Sequence, residues 1–323
     1  MGAVGSGFAV AAIANAANAV PAAAQPAAPE QTPNPYDRFT REPFPVQQQP
    51  WPGLASKMTP RPDHGEQTYR GSRRLEGRKA LVTGGDSGIG RATAIAFARE
   101  GADVAINYLP QEEADAREVV QIVRAAGRKV VPIPGDIRDE AFCTHLVSEA
   151  VSQLGGLDTV VNVAGRQHST DSIEDLTTEY FDWTFKTNVY AMFWICKAAI
   201  PHLAPGSVII NTASEQGYNP DPNLLDYAPT KAAIANFTKA LAKQLAHRGI
   251  RVNAVAPGPI WTPLQISGGR SPAKIPEFGK TTPLGRAGQP VELSPVYVAL
   301  AQGAFSYATG QIYGDTGGNP GPG

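Results

Sequence analysis

The chain has 323 residues and is 42% hydrophobic, which is enough for one large core or two smaller ones. Its formal net charge of -1 gives no sign of a nucleic-acid partner or a membrane-surface partner. No apolar run reaches the roughly 18 residues that a membrane-spanning helix needs. The two cysteines, Cys143 and Cys196, fall in helical patterns, so we expect them to pack as small apolar residues and not to bind a metal.

The first 30 residues differ in composition from the rest and contain no lysine or arginine. Phe8 to Val20 form an apolar stretch, and Ala22 to Gln25 offer small residues for cleavage, but a secretory signal also needs a basic head. A true start upstream of residue 1 would supply that head and predicts export to the periplasm. The alternative is a disordered Ala/Pro tail on a cytoplasmic protein.

Residues 31–74 form a second segment, rich in Pro and Gln. Proline at this density prevents both helices and central strands. We expect an extended arm on the surface of the following domain, held there by Trp51, Met58 and Tyr69. The alternative is a free linker.

Residues 75–323 alternate apolar runs with amphipathic helical patterns. Strands are predicted at Ala80–Val82, Val104–Asn107, Val130–Ile133, Thr159–Val163, Ser207–Asn211, Arg251–Val255 and Gln311–Tyr313. Helices are predicted at about 88–100, 111–126, 139–154, 178–203, 225–248 and 290–302. Buried strands that alternate with helices indicate a parallel sheet covered on both faces. We therefore predict an α/β fold, a single doubly wound Rossmann domain with a parallel seven-stranded sheet.

A glycine-rich turn, Thr83 to Gly90, follows the first predicted strand and precedes a helix. Gly84 permits a tight turn, Gly88 lets the backbone approach a pyrophosphate, and Gly90 lets helix and strand pack. The helix N-terminus then offers free N–H groups and a positive dipole end to phosphates. The turn predicts a dinucleotide site that also includes Asp86, Ser87 and Ile89; a glycine turn that binds nothing is the alternative.

The end of the second strand bears on the choice of cofactor. NAD-specific sites place a carboxylate there to bond the adenosine 2′-hydroxyl, whereas this strand ends at Asn107, followed by Tyr108. A neutral amide does not repel a 2′-phosphate, Ser87 can donate to it, and Arg91 is a candidate cation nearby. We predict that NADP is preferred and that NAD is tolerated. The alternative is that Asn107 only caps the loop before the next helix.

Two later strand ends extend the predicted cofactor site. Asp136, followed by Ile137, comes after the third strand, and its carboxylate can accept a hydrogen bond from the adenine amino group. The alternative for Asp136 is the N-cap of the helix that starts near Asp139. The fourth strand ends in Asn162-Val163-Ala164-Gly165, where small residues let the backbone approach the ribose.

A catalytic pattern follows the fifth strand. Tyr227 and Lys231 have i,i+4 spacing and share one helix face, with Pro229 between them in the first turn. Tyrosine, with an ordinary pKa of about 10, is a poor base at neutral pH, and a nearby ammonium lowers that pKa. Ser214 can donate to a carbonyl or alkoxide oxygen. A chance Tyr/Lys spacing is the alternative.

In this order the motifs resemble those of the short-chain dehydrogenase/reductase family, over residues 75–318. Over about 43–318 the chain is similar to a bacterial branch named as glucose/ribitol dehydrogenase homologues, general stress proteins and NADP-dependent aldehyde reductase. The segments that carry this second likeness are Pro60–Glu66, Ile106–Pro110 and Ala256–Thr262.

The resemblance implies roles for further residues. Asn188 would kink its helix and hold a water beside the catalytic lysine; a packed structural amide is the alternative. The segment after the sixth strand would contact the nicotinamide amide and phosphate through Pro257, Gly258, Ile260 and Thr262. The family usually has Asn-Asn-Ala-Gly after the fourth strand. Val163 therefore loses any side-chain role, while Ala164 and Gly165 keep their backbone role.

The family also implies a homotetramer. The two long helices carry more apolar surface than one sheet face needs, through Phe193, Trp194, Ile234 and Phe237.

Residues and resemblance together predict an NAD(P)-dependent oxidoreductase that transfers hydride between nicotinamide and a small carbonyl or alcohol, above all by reducing small aldehydes. Tyr227 would exchange the proton of the oxygen, Ser214 would orient that oxygen, and Lys231 would tune Tyr227 and hold the ribose. A lid is expected at about residues 259–285, over a partly apolar pocket that includes Tyr218, Leu225 and Trp261. The alternatives are a sugar or polyol dehydrogenase and a non-catalytic nucleotide-sensing protein.

Overall fold

The structure is a computed structural model that describes residues 1–3, 5 and 34–322. The predicted signal or tail segment, residues 1–30, therefore lies almost entirely outside the described residues. Residues Pro35–Gly323 form one compact unit.

Seven parallel strands form the centre of this unit. They are Lys79–Thr83 (β1), Asp103–Tyr108 (β2), Val130–Pro134 (β3), Thr159–Asn162 (β4), Val208–Thr212 (β5), Arg251–Pro257 (β6) and Ile312–Asp315 (β7). Their order in the sheet is β3-β2-β1-β4-β5-β6-β7, which confirms the predicted doubly wound fold. Each predicted strand overlaps the observed one, and the ends differ by at most two residues.

Helices cover both faces of the sheet. They are Gly88–Arg99 (α1), Glu113–Ala125 (α2), Glu140–Leu154 (α3), Thr178–Phe185 (α4), Ala191–Ala199 (α5), Ala228–Leu245 (α6) and Pro290–Ala301 (α7). One core packs α3, α5 and α6 on one face, and a second packs α1, α2 and α7 on the other. Leu81 belongs to the first core and its neighbour Val82 to the second, because successive strand residues point to opposite faces. Cys143 and Cys196 are buried in the first core as free thiols.

The predicted helix 178–203 is not continuous. A π-helical turn, Lys186–Tyr190, separates α4 from α5, and Ile200–His202 ends the segment as a 3-10 turn that contains a proline. Such π turns are often found at functional sites. The apolar pattern alone did not predict this break, whereas the helix kink that the resemblance implies at Asn188 falls within the π turn.

The proline-rich arm packs its apolar side chains against the rest of the unit. Phe44 and Met58 join a third buried cluster together with Trp261 and Phe278. The Tyr69 hydroxyl donates to the Glu100 carboxylate at 2.6 Å. Trp51, the third residue predicted to hold the arm, is only partly buried. The arm therefore contributes to the buried interior in the region of residues 259–285.

Candidate active site

A cavity of about 370 Å³ lies at the carboxyl ends of the strands, where doubly wound folds bind their ligands. The predicted residues that line it are Gly84, Asp86, Ser87, Gly88, Ile89, Gly90, Asn107, Tyr108, Asp136, Ile137, Ala164, Gly165, Ser214, Tyr227, Lys231, Pro257, Gly258, Ile260 and Thr262. Asn162 and Asn188 are buried behind its wall. The fold thus gathers residues from most of the chain around one cavity.

The glycine turn forms the floor of the cavity at the start of α1. Gly88 has φ +50°, and a Cβ there would lie 3.1 Å from the Thr262 side chain across the cavity. At Gly90 a Cβ would lie 2.0 Å from the Gly84 carbonyl oxygen, so any side chain would push α1 away from β1. Within the described chain the Ser87 side chain does not cap α1. The first N–H groups of α1 can therefore bind an anion in the cavity.

The segment after β4 is held against β1 by a buried hydroxyl. Thr83 Oγ1 accepts hydrogen bonds from the backbone N–H groups of Val163 (3.0 Å) and Ala164 (3.2 Å). The Asn162 side chain does not reach the cavity and donates instead to Asn211 Oδ1 at 2.9 Å, which ties β4 to β5. The backbone of Ala164 and Gly165 is therefore the part of this motif that faces a ligand.

Ser214, Tyr227 and Lys231 converge on one wall of the cavity. Helix α6 begins at Ala228 with Pro229 in its first turn, as predicted. The ammonium of Lys231 lies 5.2 Å from the centre of the Tyr227 ring and donates to the Thr212 carbonyl at 2.8 Å. The Ser214 hydroxyl donates to the Pro257 carbonyl at 3.5 Å and accepts from Gln216 N at 3.1 Å. A hydroxyl pair and an amine are thus buried together beside the floor of the cavity.

Burial sets the protonation of this group. It raises the pKa of Tyr227 above its ordinary value, and the nearby Ser214 hydroxyl acts in the opposite direction. It also lowers the pKa of Lys231 to about 7. The net shift in the pKa of Tyr227 is therefore opposite to the lowering expected from Lys231, because desolvation of the phenol is the largest cause of the shift. Tyr227 holds its proton at neutral pH, as a proton donor should.

Comparison with known proteins places this geometry in a family. A family model described as enoyl-(acyl carrier protein) reductase matches residues 84–319, well over half of the chain. The crystal structure of a short-chain dehydrogenase from Burkholderia cenocepacia J2315 in complex with NADP is similar, with a TM-score of 0.71 and 34% identity. The similarity covers 76% of this chain and 98% of that one. The chain is a short-chain dehydrogenase/reductase.

Relatives of higher identity share almost their whole length with this short-chain dehydrogenase/reductase. The uncharacterized oxidoreductase YhxD of Bacillus subtilis is 60% identical over 290 residues, which are 89% of this chain and 97% of that one. The chloroplastic NADPH-dependent aldehyde reductase 1 of Arabidopsis thaliana is 43% identical over 273 residues, 83% of this chain and 94% of that one.

Asn188 explains the π turn of this short-chain dehydrogenase/reductase. Its amide bonds both backbone groups of Arg166, accepting from N and donating to O, each at 2.8 Å. It also donates to Thr230 Oγ1 on α6 at 3.0 Å. A Cβ on Gly165 would lie 3.6 Å from Asn188 Oδ1 and 3.8 Å from Lys231 Nζ, so amide and amine approach the same backbone. Asn188 therefore joins three segments behind the catalytic wall.

Two carboxyl groups lie near the end of β2: Asp86, which was predicted to belong to the site, and Glu112, which was not. Asn107 donates to the carbonyls of Ile133 (3.2 Å) and Gly135 (3.1 Å), while Glu112 caps the following loop by accepting from Leu109 N at 2.8 Å. Asn107 is thus not the loop cap. Asp86 and Glu112 both line this end of the cavity, and Asp86 Oδ2 is buried without a hydrogen-bond partner among the described residues. Two carboxyl groups therefore lie near the place where an adenosine ribose is read.

Two charged side chains near this end of the cavity, Arg91 and Asp136, form ion pairs with other residues of the protein. Arg91, a candidate cation for a 2′-phosphate, is buried against the arm and pairs with Glu66 at 2.9 Å and Glu118 at 2.8 Å. Asp136 forms an ion pair with Arg138 at 2.5 Å, which holds the pKa of Asp136 below its ordinary value despite partial burial. Asp139 caps α3 by accepting from Phe142 N at 3.0 Å, so the N-cap alternative does not apply to Asp136.

The segment after β6 forms the opposite wall. Its elements include the kinked turn Gln265–Gly269, in which Ser267 and Gly268 have non-helical backbone angles, and the 3-10 helix Pro272–Glu277. Trp261, predicted to line the substrate pocket, is instead fully buried and stacks on Phe44 of the arm, with ring centres 3.8 Å apart. Tyr218 and Leu225 are 38% and 39% exposed and lie outside the cavity lining. The predicted three-residue apolar pocket is therefore wrong.

Proposed function

We propose that this short-chain dehydrogenase/reductase is an NADP-dependent reductase of small aldehydes. One observation supports the proposal: Ser214, Tyr227 and Lys231 are buried together on one wall of the cavity. The glycine turn forms the floor of the same cavity. A nucleotide seated on the α1 N-terminus has room to extend its nicotinamide towards Tyr227. The reaction that fits this arrangement transfers hydride between a nicotinamide and a carbonyl carbon.

Tyr227, Ser214 and Lys231 each have a separate role in the proposed reaction. The bound nicotinamide supplies the hydride. Tyr227, which keeps its proton because burial raises its pKa, donates that proton to the carbonyl oxygen. Ser214 donates a hydrogen bond to the same oxygen and fixes its direction. The ammonium of Lys231 lies over the Tyr227 ring and is placed to bind the ribose hydroxyls.

NADP is the cofactor we infer, with NAD tolerated. The α1 N-terminus, Ser87 and Asn107 supply donors and a neutral amide around the adenosine end of the cavity. The Arabidopsis relative is named for NADPH, and the Burkholderia relative was crystallised with NADP. Arg91 does not contribute a charge, because its guanidinium is paired with Glu66 of the arm and Glu118 of α2. Among the described residues, the arginine that lines the cavity is Arg138, which is paired with Asp136, so we infer that the preference depends on weak repulsion of the 2′-phosphate.

The two carboxyl groups make this preference depend on pH. Burial raises the pKa values of Asp86 and Glu112, and the Asp86 carboxylate raises that of Glu112 further. Both groups are therefore more neutral at pH 7 and become charged as the pH rises. A 2′-phosphate is already fully ionised above about pH 7, so carboxylate charge alone alters its repulsion.

We accordingly predict that the ratio of kcat/KM for NADPH to that for NADH falls as the pH rises from 7 to 9, the direction set by the raised pKa values. The pH also changes the protonation of Tyr227 and Lys231, but this alters kcat/KM for both cofactors alike and therefore cancels in the ratio. The Asp86→Asn variant should flatten the slope. A ratio that stays constant over this range in the wild type would exclude the effect.

The test of the function is turnover with both cofactors against aldehydes, ketones, sugars and polyols. We expect fastest reduction of small aldehydes with NADPH. Faster turnover of sugars or polyols would favour the alternative of a sugar or polyol dehydrogenase. Binding of NADPH without any turnover would favour a nucleotide-sensing protein, although such a protein has no need for the buried Ser214, Tyr227 and Lys231.

We further propose a homotetramer. Large apolar side chains lie exposed around α4 and α5, namely Ile173, Tyr180, Phe181, Tyr190 and Phe193. Ile234, which was expected on this surface, is buried in the first core instead. Light scattering should give the mass of four chains of 34.1 kDa, and the mass of one chain would exclude the assembly.

No helix in the described part of the chain is long and apolar enough to cross a membrane. We propose a cytoplasmic location, with export to the periplasm as the alternative. Cell fractionation with a carboxyl-terminal tag distinguishes them, because an exported chain would begin near residue 25.

A further inference from the structure

A short loop of the arm, Gln49–Leu54, reaches the cavity. The Gln49 side chain closes this arm loop by bonding both backbone groups of Leu54, accepting from N at 2.7 Å and donating to O at 3.1 Å. Trp51, Pro52 and Gly53 lie within the closed loop, and all three line the cavity. A segment outside the strand and helix pattern of the domain thus forms part of the wall around the dinucleotide site.

The arm loop packs directly on the wall that follows β6. Gln49 N donates to the Ile266 carbonyl at 2.9 Å. A Cβ on Gly53 would lie 3.1 Å from Ser267 Cβ and 3.2 Å from Pro263 Cβ, so the loop and the wall are in close contact. Pro263 and Ser267 also line the cavity. The position of this wall is therefore coupled to that of the arm loop.

The other side of the arm loop is fixed to α2. Asp115, a fully buried carboxylate, accepts from the backbone N–H groups of Ala55 (2.6 Å) and Ser56 (3.3 Å), which directly follow the loop. Asp115 lies three residues after Glu112, which lines the adenosine end of the cavity. The arm loop thus spans from the adenosine end to the wall that follows β6.

We propose that the arm loop is a positioning element for the dinucleotide, which it covers while holding the β6 wall at a fixed distance from α2. This inference rests on the proposed function for the identity of the ligand, NADP(H). Because Gln49 does not itself line the cavity, its effect on the ligand is indirect and passes through the shape of the loop. Gln49 is accordingly a positioning residue.

The chain offers a matched control two positions away. Gln47 also bonds both backbone groups of another arm residue, accepting from Thr59 N at 3.0 Å and donating to Thr59 O. Its bonds join residues 47 and 59, which enclose the arm loop but do not themselves line the cavity. Gln47→Ala and Gln49→Ala therefore remove the same kind of bond from the same segment, but only the second removes bonds made within the arm loop.

Binding of NADPH to the full-length variants should be measured by fluorescence, together with melting temperature and steady-state kinetics. We expect Gln49→Ala to raise the Kd and the KM for NADPH roughly ten-fold, the effect of losing two hydrogen bonds that order the loop. At saturating NADPH its kcat should stay within about two-fold of wild type, since Tyr227 is untouched. Gln47→Ala should bind NADPH like the wild type and melt at a temperature similar to that of Gln49→Ala.

Equal Kd values for the two variants would overturn the proposal. So would a loss of NADPH affinity in Gln49→Ala that is matched by a lower melting temperature and by an equal loss in kcat, because general destabilisation would then explain it. Failure of the proposed function gives a different result. If the wild type binds NADPH but reduces no carbonyl, the binding comparison still tests the arm loop. If the wild type binds no NADPH, both proposals fail.

Discussion

Replacement of Tyr227 by phenylalanine should lower kcat for aldehyde reduction by about 10²–10⁴-fold, the typical contribution of a general acid. The variant removes one oxygen and keeps the buried ring, so the cavity should keep its shape. Because Lys231 still donates to the Thr212 carbonyl, the Kd for NADPH should change by less than about two-fold. Stopped-flow reduction at saturating NADPH, with binding measured separately, distinguishes chemistry from affinity.

Tyr218→Phe is the matched control, because this tyrosine is 38% exposed and lies outside the cavity lining. It should retain wild-type kinetics. If Tyr227→Phe kept more than about a tenth of the wild-type rate, Tyr227 would not be the proton donor.

Asn107→Asp should shift the cofactor preference from NADP towards NAD. Repulsion between a carboxylate and a 2′-phosphate about 4 Å away costs roughly 1–4 kcal/mol, depending on screening. The ratio of kcat/KM for the two cofactors should therefore change at least about ten-fold. The substitution should also lower stability, because the carbonyls of Ile133 and Gly135 lose their donor, at about 1–3 kcal/mol for each buried group left unpaired.

Asn107→Leu separates the two effects. It removes the same donors without adding charge, so it should lower the melting temperature while leaving the cofactor ratio close to that of the wild type. A ratio that moves equally in both variants, or in neither, would show that charge at the end of β2 does not set the preference.

The sequence was sufficient wherever one local pattern determines one structure. The apolar runs located all seven strands, because a parallel strand buried on both faces reads as a continuous apolar segment. The glycine turn and the spacing of Tyr227 and Lys231 were predicted from the same kind of short-range geometry. Gly90 shows why: the Gly84 carbonyl leaves no room for a side chain, and both residues lie in the same turn.

Contacts between distant segments were not predictable in this way. Arg91 was considered for the cofactor, but its partners Glu66 and Glu118 come from the arm and from α2. Trp261 was assigned to the substrate pocket, yet Phe44, more than 200 residues earlier, covers its ring. Asp86 and Glu112 line the same cavity, although the first lies in the glycine turn and the second lies just before α2. In each case the competing partner lies on another element, and no local pattern identifies it.

Transfer of deuterium is the most direct measurement of the central claim, that this cavity passes hydride from a nicotinamide to a carbonyl carbon. The wild-type protein would be incubated with NADPH carrying deuterium at C4 of the nicotinamide and with a small aldehyde, and the alcohol product analysed by NMR and mass spectrometry. We expect one deuterium on the carbinol carbon, delivered from one face of the nicotinamide, and almost none with Tyr227→Phe in the same time. An alcohol whose carbinol carbon carries only solvent hydrogen, or no alcohol at all while NADPH is bound, would contradict the account.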